Sequence, residues 1–171
     1  MVLEILTYPN RKLKQKSKPV EKFDEKLHKL LDDMHDTMAS KNGVGLAGVQ
    51  VGALQRLFII NIPDEDGNYY PENLIEAINP KILDKRGETV YEEGCLSIPD
   101  YYEEVKRADE VDVEYQDREG NKIQRTLSGL EAIAFQHELD HLDGHLFIEK
   151  LNYLKRKKFD KEWKKRHGKF R

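Results

Sequence analysis

Apolar and polar positions alternate with changing period along this chain, and each change marks an element. Between Asp24 and Ser40, Leu27, Leu30, Leu31, Met34 and Met38 recur at helical spacing, one stripe of an amphipathic helix with Asp24 as its N-cap. A glycine-rich stretch, Gly43 to Gly52, follows. Then come runs with strand character: Leu57–Ile62, Leu74–Ile78, Glu88–Tyr91, Glu104–Arg107, Glu110–Gln116 and Lys122–Leu127. Asp66-Gly67, Arg86-Gly87 and Glu119-Gly120 read as turns between them. A second helix is expected from Ser128, whose spacing to Glu131 predicts a capping box, with Gly144 as its C-terminal stop. At about 100° per residue, Leu130, Ile133, Ala134, His137 and His141 share one stripe, whereas Ala132, Phe135, Leu139 and Leu142 share the opposite one. A helix apolar on two opposed faces is buried between layers, so both histidines are expected in a water-poor setting. A strand-rich middle bracketed by helices is an α+β class.

The length of 171 residues suits one domain with its own core. Charged residues make up 36% and hydrophobic ones 38%, the balance of a globular protein rather than a disordered one. No run approaches the roughly 18 apolar residues of a membrane span, and the first twenty residues lack a basic segment followed by an apolar one, so a cytoplasmic protein is expected. With one cysteine, Cys95, no internal disulfide can form. The net charge of −3 conceals a division: nineteen basic and thirty acidic residues precede Lys155, and ten basic and two acidic ones follow from it. Residues 155–171 therefore read as a basic tail attached to an acidic body of residues 1–154. Such a tail suits a polyanionic partner, or simply a solvated helix that offsets the body.

The chemistry concentrates in Gln136-His137-Glu138-Leu139-Asp140-His141. Two imidazoles at i and i+4 lie one above the other on a helix and can share a metal ion, with Glu138 beside them in reach of a water. Two buried histidines satisfied by hydrogen bonds are the plainer alternative, but a cation better offsets burying two imidazoles and a carboxylate. A catalytic ion of this kind needs a third protein ligand and an open position. His145 follows too closely and His167 sits in the basic tail; Glu149 and Glu162 are formal candidates. Cys95, in Glu93-Gly94-Cys95-Leu96-Ser97, is favoured over them, although a lone cysteine is commonly an inert core residue.

Three segments, Gly43-Val44-Gly45-Leu46-Ala47-Gly48-Val49-Gln50, Glu93-Gly94-Cys95-Leu96-Ser97 and Gln136 to His141, together resemble the signature motifs of the bacterial peptide deformylases, in order and approximate spacing. The likeness covers residues 1 to about 154. It implies small antiparallel sheets packed around a central buried metal-binding helix, with N- and C-terminal helices. It implies removal of the formyl group from the N-terminal formyl-methionine of new polypeptides. By this resemblance Cys95, His137 and His141 hold one divalent ion, Fe²⁺ natively, with Zn²⁺, Ni²⁺ or Co²⁺ able to replace it. Glu138 carries the proton, while the Gln50 amide and the Leu96 backbone N–H meet the oxyanion, beside Gly45. Gly43, Val44, Gly45, Glu93 and Gly94 would border the substrate, with Val44, Leu130, Ile133 and Ala134 forming the methionine slot and Glu93 pairing with Arg107. Glycines 43 and 45 are expected to admit a peptide backbone, or to serve a turn. The basic tail would dock on the ribosome, with no sequence-specific nucleic-acid binding, and deletion after Leu154 is expected to spare activity on short peptides. Two departures stand out: Gly48 replaces an alanine, which should loosen packing, and Tyr102 stands where many relatives carry an arginine near the entrance. A zinc peptidase cutting internal bonds and a ribosome-associated, non-catalytic metal protein are the competing readings.

Overall fold

The computed structural model describes residues 1–167. Helix α1 spans Glu25–Ser40, and the Asp24 side chain accepts from the Leu27 N–H at 3.1 Å, as its N-cap position predicts. Its apolar stripe, Leu27, Leu31, Met34 and Met38, is buried against Leu46, Leu57, Ile59 and Ile78 of the neighbouring sheet.

That sheet has the order β1-β2-β3-β6-β7, from Gly45–Ala47, Leu57–Ile60, Ile75–Arg86, Glu110–Gln116 and Lys122–Ser128, and every pairing is antiparallel. A separate two-stranded ribbon joins β4 (Thr89–Cys95) to β5 (Ile98–Arg107). Strand β3 runs well past the expected end at Ile78. Asn79 takes a left-handed φ of 51° and the pairing to β6 slips between Ile78 and Lys81, so the strand crosses Asn79-Pro80 as a bulge instead of stopping there. Asn79 is fixed by its side chain, which accepts from the Val20 N–H and donates to the Val20 carbonyl.

Helix α2, Gly129–Leu142, is the centre of the molecule. Its Ala132, Phe135 and Leu142 join Phe58, Ile60, Val111, Val113 and Leu127 in the main core. Of the other stripe, Ile133, Ala134, His137 and His141 are buried too, but Leu130 in the first turn is exposed. The capping box does not form: the Ser128 side chain makes no cap hydrogen bond. The chain enters α2 through Gly129 at φ 61°, with its N–H aimed at the Asp109 carbonyl, and this turn carries the serine away from the helix end.

Helix α3, Tyr153–His167, is not a detached tail. Phe159 is fully buried with Leu13, Ile98, Tyr101, Val105 and Phe147, and Cys95 and Trp163 pack against the same cluster. Residues 168–171 of the sequence-defined tail lie outside the described ones. Among the described residues no helix is long and apolar enough to cross a membrane.

Candidate metal centre and substrate cleft

Three elements converge on one point. Cys95 ends β4 at the turn into β5, and His137 and His141 stand one turn apart on α2. One ligand atom from each lies within 4.8 Å of the other two, and Cys95 Sγ sits 3.3 Å from His141 Nε2. His137 Nδ1–H donates to Glu93 Oε1 at 2.9 Å, which leaves its Nε2 for an ion. Burial works against charge on both imidazoles. His137 is nonetheless held well above the ordinary histidine range by Cys95 and Glu93, while His141 is pushed well below it.

The centre fits a cation on its own terms. Thiolate and imidazole are donors for zinc or ferrous iron. Glu138 Oε1 and His141 Nδ1 are buried without hydrogen-bond partners, an arrangement that is costly until a charge or substrate group meets it. Burial pushes the Glu138 carboxyl up to about 7, inside the range useful to a group that takes and returns a proton near neutrality.

Behind the ligands lies an ion network that the sequence only half reveals. Arg107, 6% exposed, grips both oxygens of Glu93 at 2.8 and 2.9 Å and reaches Asp140 at 2.6 Å. The Arg107–Glu93 pair follows expectation. Asp140 and Gln136, which brackets the backbone of Ala108 with hydrogen bonds in both directions, were not singled out. Their i, i+4 spacing, each one residue ahead of a histidine, was the available signal. Ser97 is likewise a new member: buried, it accepts from Gln50 Nε2 at 3.0 Å. Gln50 is fixed at both ends, its Oε1 accepting from the Ala47 N–H and its Nε2 also approaching Cys95 Sγ at 3.5 Å.

A cleft of about 780 Å³ opens in front of these groups, lined by Gly43, Val44, Gly45, Gln50, Glu93, Gly94, Cys95, Leu96, Leu130, Ile133, Ala134, His137 and Glu138, among others. Every sequence-expected site residue except His141 is in that lining; His141 is buried, with its Nε2 against Cys95 Sγ. The glycines also have a packing reason that the sequence does not show. A Cβ on Gly45 would come within 2.6 Å of Glu138 Oε2, and one on Gly43 within 2.9 Å of Leu96 Cδ1, so both positions make room for neighbouring site residues. Gly48 does not loosen its surroundings, because an added Cβ would meet the Ala53 carbonyl oxygen at 2.8 Å. Tyr102 is 64% exposed at the cleft mouth, with its ring resting over Gly94. A second cleft, about 670 Å³, lies where Arg107 and Asp140 meet; of its lysines and arginines all but Lys85 are paired with acids among the described residues.

An α+β frame whose buried helix offers two imidazoles to a thiol, with a raised carboxyl facing an open cleft, is the build of a metal-dependent hydrolase. Comparison with known proteins narrows the class. The polypeptide deformylase family model matches residues 2–157. The chain is 57% identical over 164 residues to a peptide deformylase of Nautilia profundicola, covering 96% of this chain and 94% of that one. A Wolinella succinogenes peptide deformylase is 56% identical, with 96% and 97% covered. Among solved structures, a Legionella pneumophila peptide deformylase superposes with a TM-score of 0.88 at 42% identity, covering 96% of this chain and 95% of the other. A plant peptide deformylase does so with 0.90 at 36% identity, covering 98% and 90%. The chain belongs to the polypeptide deformylase family.

Proposed function

We propose that this protein hydrolyses the N-formyl group from the formyl-methionine that begins new polypeptides, releasing formate. The observation that carries this is the convergence of Gln50, Cys95, His137 and Glu138 on one apolar-walled cleft, with His141 against Cys95. Cys95, His137 and His141 would hold one divalent ion, Fe²⁺ by family likeness, with Zn²⁺, Ni²⁺ or Co²⁺ as substitutes. When bound, the ion supplies Lewis acidity and acidifies a water near neutral pH.

The chain's own groups do the rest. Glu138 takes the proton of the attacking water and returns it to the departing amine nitrogen, which would otherwise leave as an anion. The Gln50 Nε2–H and the Leu96 backbone N–H meet the oxyanion that develops on the formyl carbonyl. Such a donor is worth about 3 kcal/mol where one has been removed in other enzymes. Gln50 enters the reaction already oriented, since Ala47 and Ser97 hold its amide. Arg107 fixes Glu93, and Glu93 fixes the tautomer of His137, so neither acid nor arginine is free to bind substrate directly. Val44, Leu130, Ile133 and Ala134 wall the slot for the methionine side chain. Strand β1 is the edge of its sheet, and a peptide can add there as a further strand beside Gly43 to Gly45.

Family membership favours this reading over an internal peptidase or a non-catalytic metal protein. The protein would act in the cytoplasm, where nascent chains emerge, and the exposed basic face of α3 is proposed as its contact with the ribosome. The test is formate release from a short formyl-methionyl peptide under oxygen-free conditions, beside Glu138→Gln and an unformylated control peptide. Release confined to the formylated peptide and lost in the variant supports the assignment; cleavage of the control overturns it.

A further inference from the structure

We infer that Tyr8 and Trp163 are positioning residues for the oxyanion donors, through a brace that runs from α3 to the head of the cleft. The inference rests on the proposed roles of Gln50 and Leu96. The segment Leu6–Tyr8 crosses the two loops that carry those donors. The Leu6 N–H donates to the Gln50 carbonyl at 2.7 Å, and the Tyr8 N–H donates to the Ser97 carbonyl at 2.7 Å. Ser97 Oγ in turn accepts from Gln50 Nε2. Two backbone bonds, from residues two apart in the strap, thus fix the spacing of the Gln50 amide from the Leu96–Ser97 turn.

A strap held by two backbone hydrogen bonds is as rigid as what packs on it. Here that is α3: the Tyr8 ring meets Trp163 edge to face at 5.2 Å and Phe159 at 5.5 Å. Phe159 also packs edge to face on Tyr101 at 4.6 Å, and Arg166 donates to the Asp100 carbonyl at 3.0 Å, tying α3 to the start of β5, which leaves the Leu96–Ser97 turn. Aromatic pairs of this geometry resist sliding because edge and face carry opposite partial charge. The path from Trp163 to Gln50 is therefore continuous contact: ring on ring, N–H on carbonyl, amide on hydroxyl. Neither aromatic residue touches substrate; each acts through the strap. Donors that must lie within hydrogen-bond reach of a developing charge lose effect with small displacements.

The experiment uses full-length, metal-loaded protein carrying Tyr8→Ala, Trp163→Ala, Tyr8→Phe or Trp163→Phe. Formate release is read as separate kcat and KM, metal content is measured, and amide exchange is followed over residues 94–99 with residues 110–116 as a fold control. Both alanine variants should lower kcat about tenfold at nearly unchanged KM and full metal content. Exchange should quicken over residues 94–99 and not over 110–116, and both phenylalanine variants should restore kcat and protection. Unchanged kcat in the alanine variants overturns the brace, as does a loss that tracks metal release or faster exchange in both segments. An inactive wild-type protein would instead sink the deformylase assignment, so the two failures are distinguishable.

Discussion

Glu93 and His137 are joined by a 2.9 Å hydrogen bond that places a buried carboxylate directly behind an imidazole of the candidate metal site. Burial alone would raise the Glu93 carboxyl, but hydrogen bonds from Arg107 and His137 overcome it and hold the group down at about 2. A carboxylate whose folded value lies below its unfolded one stabilises the fold above the unfolded value near 4.5 and loses that contribution as pH falls toward about 2. The difference corresponds to about 3 kcal/mol. Wild-type protein should therefore lose about that much more stability than Glu93→Gln across this acid window, measured by denaturant unfolding at successive pH values. Parallel curves for the two proteins would refute the linkage. Arg107→Met, which strands Glu93 in the interior, should cost roughly 3–5 kcal/mol at neutral pH.

The 2.6 Å approach of a Gly45 Cβ to Glu138 Oε2 predicts a catalytic defect from a single methyl group. Gly45→Ala should lower kcat about a hundredfold by displacing the proton carrier. Its cost in stability should stay within the roughly 1–3 kcal/mol of a tight overpacking. Placed on Glu138→Gln, the same substitution should change little further, because both act on one group. Additive losses in that double-mutant cycle would show that Gly45 acts by another route.

Metal removal should expose the coupling between ion and fold. Cys95 and His137 must both be deprotonated to bind, and His137 is held toward its protonated form by Cys95 and Glu93 against its burial. Affinity for the ion should accordingly rise as pH increases beyond the ordinary histidine range, with protons released on binding. Chelation should lower the Tm, since an ion that binds the folded state alone stabilises it. Calorimetric titration of the stripped protein with Zn²⁺ in two buffers of different ionisation heat measures the proton count directly. Binding without proton release at the lower pH would contradict the ligand set.

What the sequence made legible divides along the range of the interactions. The α1 stripe, its Asp24 cap and the two opposed faces of α2 were readable because helical periodicity is local. The meeting of Cys95, His137 and His141 was readable because two of them are i and i+4 neighbours and the third is the lone cysteine. Strand ends were not: β3 passes through Asn79-Pro80, and the bulge that permits this depends on the distant Val20. The purpose of the glycines was equally hidden, since Gly43 and Gly48 are set by contacts to Leu96 and Ala53 that no spacing rule exposes. The position of α3 was hidden for the same reason. Its charge density announces a solvated tail, but one phenylalanine in the middle decides where it packs.

That phenylalanine separates two properties of α3 that deletion of the helix would merge. Phe159 is fully buried in the cluster against which Cys95 packs, so truncation after Leu154 is expected to open a cavity beside Cys95 rather than spare the site. Phe159→Ala alone should cost roughly 3–5 kcal/mol, read as a lowered denaturation midpoint. Lys157, Lys158, Lys161 and Lys164 are all exposed on the same helix. Reversing them to glutamate should leave stability and formate release from short peptides nearly unchanged. Cosedimentation with ribosomes should fall and lose its salt dependence, because a cationic face binding a polyanion works through displaced counterions. Undiminished cosedimentation of the reversed-charge protein would leave the helix with its packing role alone.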